Sequence, residues 1–239
     1  MWGKKSFLVV TGASRGIGRE IAIKFSSKLG AGSKVVLIAR STSGLHATRN
    51  LILAVTNKTA NPVGVTVASV DLSNSAGIEF NDIMEEGCDL DSPETFDSAI
   101  MVHNAGTLGT VHKKRDLRRN KFHKGPEVKK TLVNITSLAA LKPFPGWSMY
   151  CSARAAREAL FRNLAAEERD VMVLNYSPGP VETEMMTQVL EQSLPEIKSA
   201  MKETTILTVD QTVSRLISIL DKGIFSKSGA RVDYFDDIV

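Results

Sequence analysis

Cysteine is almost missing from this chain, which holds two in 239 residues, Cys88 and Cys151. Two are too few for a disulfide framework and their spacing fits no metal-ligand pattern, so a reducing cytosol is the expected compartment. Long apolar runs are missing too. No apolar run exceeds five residues, those at 7–10 and 35–39 included, far below the roughly 18 residues that a membrane-spanning helix needs. A secretory leader is not expected either, because a strand-like run starts at residue 6 and leaves no space for successive charged, apolar and cleavage regions. What is present is ordinary globular composition, 43% hydrophobic and 23% charged, which excludes disordered and fibrous classes. The length suits one large α/β domain or two small ones.

The net charge of +4 is uneven. Residues 111–130 hold nine Lys/Arg against Asp116 and Glu127, a local +7 that leaves −3 for the rest. Such a segment can attract nucleic acid or an acidic surface. It offers one aromatic, Phe122, for base stacking, and its apolar residues follow no helical period. A solvated loop is the expected reading, and nucleic acid is not an expected partner.

Apolar, β-branched runs recur at 6–11, 34–39, 63–70, 98–102, 131–135, 171–176 and, briefly, 230–234. Helical patterns lie between most of them: Ile17, Ile21, Ile23 and Phe25, then Leu45, Leu51 and Leu53, then Ala156, Leu160 and Leu164. Continuous apolar strands alternating with helices predict a doubly wound parallel sheet of about seven strands, covered on both faces, in an α/β chain of the Rossmann type. With no repeat, linker or low-complexity tract, residues 1–239 are expected to form a single domain.

The stretch TGASRGIG at 11–18 follows the first apolar run and opens an amphipathic pattern. In that context Gly12 permits a tight turn, Gly16 lets backbone approach a pyrophosphate, and Gly18 allows close helix–strand packing, with the helix N-terminus facing negative charge. An acid at the end of the second strand would bind the ribose hydroxyls of NAD, whereas this strand ends at Arg40. Arg40 and Arg15, two planar forks of donors, can clamp a 2′-phosphate, so NADP(H) is the expected cofactor.

Ser137 follows the fifth strand, and Tyr150 and Arg154 stand four apart. On a helix that spacing puts phenol and cation on one face, where the cation favours the phenolate. A Tyr so placed can act as general acid toward a carbonyl while Ser137 hydrogen-bonds the same oxygen. By itself, a Tyr and an Arg four apart are also compatible with a surface pair.

Taken together, these motifs resemble the short-chain dehydrogenase/reductase family, and more narrowly its pterin-reducing branch. The resemblance spans nearly the whole chain: the glycine turn, Asp71-Leu72 after the third strand, HNAG at 103–106, NITSLAALKPFPGWSMYC at 134–151, LNYSPGP at 174–180 with Thr183 and Met185, and SGARVDYFD at 228–236. It implies that Gly12, Ser14, Arg15, Gly16, Ile17, Gly18, Arg40, Asp71, Leu72, Asn104, Ala105 and Gly106 bind the cofactor, with Pro178, Gly179 and Thr183 at the nicotinamide. Ser137, Tyr150 and Arg154 are the implied catalytic set. Ser137, Tyr150 and Asp233 would bind substrate, Asp233 being the carboxylate that anchors a pterin.

Two departures accompany the resemblance. The family has Lys where this chain has Arg154, and Arg keeps the charge but cannot relay protons, which points to slower catalysis. After Gly106 the family continues through a long helix that supplies a further Asn and most of its homodimer face. Here 24 residues, 107–130, separate the fourth and fifth strands. They suffice for a parallel crossover, yet Val111, Leu117, Phe122 and Val128 are spaced six, five and six apart and write no amphipathic helix.

The expected activity is NADPH-dependent reduction of a pterin side-chain carbonyl, which the resemblance places in tetrahydrobiopterin synthesis. Two alternatives remain open: reduction of other ketones, and NADP binding without efficient turnover.

Overall fold

The continuously apolar runs become strands because residues buried on both faces of a sheet have no solvent face to alternate with. The computed structural model describes residues 1–59, 61–72, 82–83, 96–106, 128–223 and 227–237. Among these are seven strands: β1 (Ser6–Thr11), β2 (Lys34–Ala39), β3 (Gly64–Ser69), β4 (Ser98–His103), β5 (Lys129–Ile135), β6 (Val171–Ser177) and β7 (Ala230–Asp233). Every residue of β1 and β4 is buried, as is all of β2 after Lys34. The helices are α1 (Gly16–Ser26), α2 (Thr42–Thr56), α3 (Ser148–Glu167), α4 (Glu184–Gln192), α5 (Pro195–Lys202) and α6 (Val209–Lys222), with a 3₁₀ turn at Leu138–Ala140.

The strands form one parallel sheet in the order β3-β2-β1-β4-β5-β6-β7. In register, Thr11 of β1 faces Ile38 of β2, Val10 faces Val102 of β4, and Ser177 of β6 faces Asp233 of β7. The winding reverses between β1 and β4. In open parallel sheets that switch point is where ligands bind, beyond the carboxyl ends of the strands. The doubly wound α/β expectation holds, and observed strand bounds lie within two residues of those predicted. The largest difference is β5, which begins at Lys129. Lys129 and Lys130, the last two cations of the basic segment, are thus strand residues rather than loop. The crossover expected to be short and non-helical lies, at 107–127, outside the described residues.

Side chains cap the N-termini of α2, α4 and α6. Ser41 accepts the Gly44 N–H at 3.2 Å at the start of α2. Thr208 and Gln211 form a reciprocal capping box on α6, and Gly223 ends that helix in the left-handed conformation at φ 62°. No described helix is long and apolar enough to cross a membrane. The chain packs into two compact units, one made of Met1–Ala105 with the start of β5, the other of Val133–Val239 with Gly106. The first contains the glycine turn and the second contains Ser137, Tyr150 and Asp233.

Candidate active site

The glycine turn runs from the end of β1 into α1, and its conformation depends on having no side chain. Gly12 and Gly16 have φ of 68° and 56°, in the left-handed region that favours glycine. A Cβ on Gly12 would lie 2.8 Å from Asn104 Nδ2, and one on Gly18 would lie 2.5 Å from the same atom and press on the Gly12 carbonyl. Gly18 therefore lets α1 close on the strand end, as its position predicts. The Gly12 N–H donates to the Ile38 carbonyl at 2.7 Å, which pins the turn to β2.

Further residues brace the turn. The Thr11 hydroxyl accepts the N–H groups of Asn104 and Ala105 at 3.1 and 3.0 Å. Asn104 Nδ2 returns bonds to the carbonyls of Thr11 and Gly12 at 3.2 and 3.3 Å. Asn104, expected to line the cofactor, thus also fixes the loop that would hold it. Thr48 of α2 donates to the Ala13 carbonyl at 2.8 Å and takes a bond from Arg19 Nε at 3.0 Å, while Arg19 Nη2 reaches the Ser14 carbonyl. No spacing in the sequence marks Thr11, Arg19 and Thr48 for this role, because each bonds to a partner that local periodicity does not identify.

This cradle fits a dinucleotide. The space next to Gly12 and Gly18 has no room for a methyl group, and the Arg15 side chain does not cap the α1 N-terminus, whose first backbone N–H groups are of the kind that suits phosphate oxygens. Arg15, the α1 N-cap, and Arg40, directly after β2, are both exposed on this unit. Ser14, Gly16 and Ile17 are half-buried along the turn, Asp71 and Leu72 are half-buried after β3, and Ala105 follows β4.

In the second unit, Ser137 caps the 3₁₀ turn after β5, its hydroxyl accepting the Ala139 N–H at 3.2 Å. Tyr150 and Arg154 lie one turn apart on α3 and are both buried, at 8% and 7% exposure. The guanidinium carbon of Arg154 is 4.8 Å from the centroid of the Tyr150 ring, a cation–π contact. Arg154 Nη1 donates to the Ile135 carbonyl at 2.9 Å, and Arg157 donates to the same oxygen. Burial, with the like charge of Arg154 second, pulls Arg157 well below the ordinary arginine pKa, and Tyr150 acts the other way. Gly106 makes room for this arrangement, since a Cβ there would lie 2.7 Å from Arg154 Nη2. Trp147 packs edge-on against Tyr150 at 5.7 Å and is itself held by Ser193 at 3.1 Å.

The loop after β6 is braced from behind. Tyr176, whose phenol burial pushes up in pKa so that it stays protonated, donates to the Thr212 carbonyl at 2.9 Å. Thr212 in turn donates to the Pro178 carbonyl at 2.9 Å. Gly179, at φ 74°, approaches Leu207 and the Phe235 ring so closely that a Cβ would sit 3.0 and 3.2 Å from them. Thr183 caps α4 through the Met186 N–H at 3.4 Å.

Asp233 ends β7, in register with Ser177. Its Oδ1 accepts the Phe235 N–H at 3.5 Å and its Oδ2 lies 3.5 Å from Arg231 Nη2. Arg231 Nη1 meets Glu158 Oε2 at 2.5 Å, and the Thr136 hydroxyl donates to that oxygen at 2.7 Å. The Glu158 side chain is 2% exposed. Removing one partner from so buried a pair costs about 3–5 kcal/mol, because the other charge is left uncompensated. Neither Glu158 nor Arg231 was expected from the sequence. The signal that could have found them was positional: Glu158 continues the four-residue spacing of Tyr150 and Arg154, and Arg231 shares a strand face with Asp233.

Residues 69–194 match the family model for short-chain dehydrogenases. The chain is 35% identical to rat sepiapterin reductase and 34% identical to that of the Mongolian gerbil, Meriones unguiculatus. These alignments cover 95% of this chain and 95% of the rat protein, and 96% of each for the gerbil protein. Among solved structures, a short-chain dehydrogenase of Shigella flexneri 2a complexed with NADP superposes with a TM-score of 0.69 at 20% identity, covering 97% of each chain.

Proposed function

This chain belongs to the short-chain dehydrogenase family of oxidoreductases, and on that premise we propose that it reduces a carbonyl on a pterin side chain with NADPH, as a sepiapterin reductase does. Gly12, Ser14, Arg15, Gly16, Ile17 and Gly18 would hold the pyrophosphate half, Arg15 and Arg40 the 2′-phosphate, and Asp71 and Leu72 the adenine. Asn104, Ala105 and Gly106 would continue that wall, with Pro178, Gly179 and Thr183 at the nicotinamide. NADPH held there would supply a hydride, an electron pair for the carbonyl carbon. Tyr150 gives its phenolic proton to the carbonyl oxygen, so the product is the neutral alcohol, and water restores the proton to Tyr150. Ser137 donates a hydrogen bond to the same oxygen and lowers the cost of the charge that develops there. The Arg154 cation offsets the negative charge left on the phenol.

The observation that carries the substrate assignment is the place of Asp233. Asp233 stands at the carboxyl end of β7, in register with Ser177, the residue before the 178–183 loop, and in the same compact unit as Ser137 and Tyr150. A pterin offers an amino group and a ring N–H side by side, a pair that one carboxylate accepts as two parallel charge-assisted bonds. The test is the loss of NADPH absorbance on adding sepiapterin, with chromatography of the product. Stoichiometric conversion to the side-chain alcohol is expected, and reduction of simple ketones without sepiapterin turnover would reassign the substrate.

A second reading is supported by the Arg154 geometry. The guanidinium is engaged by the Tyr150 ring and the Ile135 carbonyl, an arrangement compatible with NADP binding and slow turnover. Tight NADPH binding with no reduction of sepiapterin or any ketone tested would favour it.

A further inference from the structure

Arg231 stands between two carboxylates, Glu158 on α3 and Asp233 on its own strand, at 2.5 and 3.5 Å. Residues 231 and 233 are two apart in β7, so their side chains leave the same face of the sheet. Glu158 is held from a second side by Thr136, the residue before Ser137. The segment that carries Ser137, the helix that carries Tyr150 and the strand that carries Asp233 therefore meet at one buried carboxylate.

We propose that Arg231 is the positioning residue that gives this site its selectivity for pterins: anchored by Glu158, its guanidinium orients the Asp233 carboxylate toward the paired donors of the substrate. The inference rests on the reading of Asp233 as the pterin anchor. Its geometry separates the two arms of the fork. The 2.5 Å arm to Glu158 is a tight bond that anchors the guanidinium, and the 3.5 Å arm is at ion-pair distance, which restrains Asp233 while its oxygens keep lone pairs for a ligand. An aspartate at a strand end would otherwise sample several rotamers, and binding would bear the cost of ordering it. A lysine can neutralise Glu158 but, as a point charge, cannot span both carboxylates, so the planar fork is the property that matters.

The test compares Arg231→Lys, and the double variant Glu158→Gln with Arg231→Gln, with the parent, using sepiapterin and a small vicinal diketone that has no ring donors. Arg231→Lys retains a cation opposite Glu158, and the double variant removes both charges together, so neither leaves one buried charge alone. The selectivity ratio, kcat/KM for sepiapterin over kcat/KM for the diketone, is expected to fall about fivefold in both variants, through the KM for sepiapterin. A structural role alone would lower both substrates alike or act on kcat, and either result overturns the proposal. Asp233→Asn, measured alongside, keeps the two ideas apart. If it lowers the ratio while the Arg231 variants do not, the anchor stands and the positioning role falls. If it leaves the ratio unaltered, the anchor falls and the positioning role with it.

Discussion

Arg154 lies over the face of the Tyr150 ring, one helical turn along α3, with its guanidinium carbon 4.8 Å from the ring centroid. This places a positive charge next to the group proposed to release a proton. It also commits that charge, because Nη1 is held by the Ile135 carbonyl at 2.9 Å. A lysine at 154 would be free of the planar fork and could exchange its proton, which an arginine does not do near neutral pH. Arg154→Lys is therefore expected to raise kcat for sepiapterin by about threefold or more, a modest part of the 10²–10⁴ range that general acid–base catalysis spans. A variant no faster than the parent would mean that the charge alone is what Tyr150 requires.

Tyr150→Phe removes the transferable proton but keeps the ring against Arg154 and Trp147. General acid catalysis contributes roughly 10²–10⁴-fold, so kcat is expected to fall by at least about 10² while NADPH affinity stays within about twofold. Single-turnover kinetics and fluorescence titration measure the two quantities separately. Retained turnover would refute the role given to Tyr150.

Arg15 and Arg40 are exposed and belong to the unit that carries the glycine turn. Hydrogen bonds to a charged group are worth about 1.5–3 kcal/mol each. The double change to alanine is expected to weaken NADPH by about tenfold or more while NADH, which has no 2′-phosphate, changes little. Equal weakening of both cofactors by calorimetry would count against the clamp.

Asp233→Asn keeps the size of the side chain but sets a donor against a donor of the pterin. Efficiency toward sepiapterin is expected to fall at least about tenfold, or 1.4 kcal/mol, relative to a small diketone. Parallel losses for both substrates would make Asp233 a structural residue.

Gly18→Ala tests the turn itself. The added methyl group would press on the Gly12 carbonyl and on Asn104 Nδ2, at 2.5 Å from the latter. Overpacking of this kind costs about 1–3 kcal/mol, and in a chain of this size each kcal/mol lowers Tm by roughly 2–4 °C. Calorimetry should show that fall together with weaker NADPH binding, and bound NADPH should recover only part of it.

Local chemistry made much of the fold and one half of the site legible. Residues 7–10 and 35–39 are apolar at successive positions, and a strand covered on both faces is the structure that uses them all. The glycine turn is equally local: Gly12 and Gly16 adopt the left-handed φ within a few residues of one another, and Gly18 lies in the first turn of the helix that follows. The four-residue spacing of Tyr150 and Arg154 likewise needs nothing beyond the helical period.

Tertiary structure decided the partners. Asn104 braces a turn more than ninety residues earlier, and Arg231 finds Glu158 seventy-three residues away. No periodicity encodes such pairs, because a repeat says which face of an element is buried but not which element will cover it. Apolar side chains accept nearly any apolar neighbour, so their burial follows from pattern alone. A charge such as Glu158 can be buried only where a cation and a hydroxyl arrive together, and in this chain that meeting depends on where the parallel sheet sets the ends of β5 and β7.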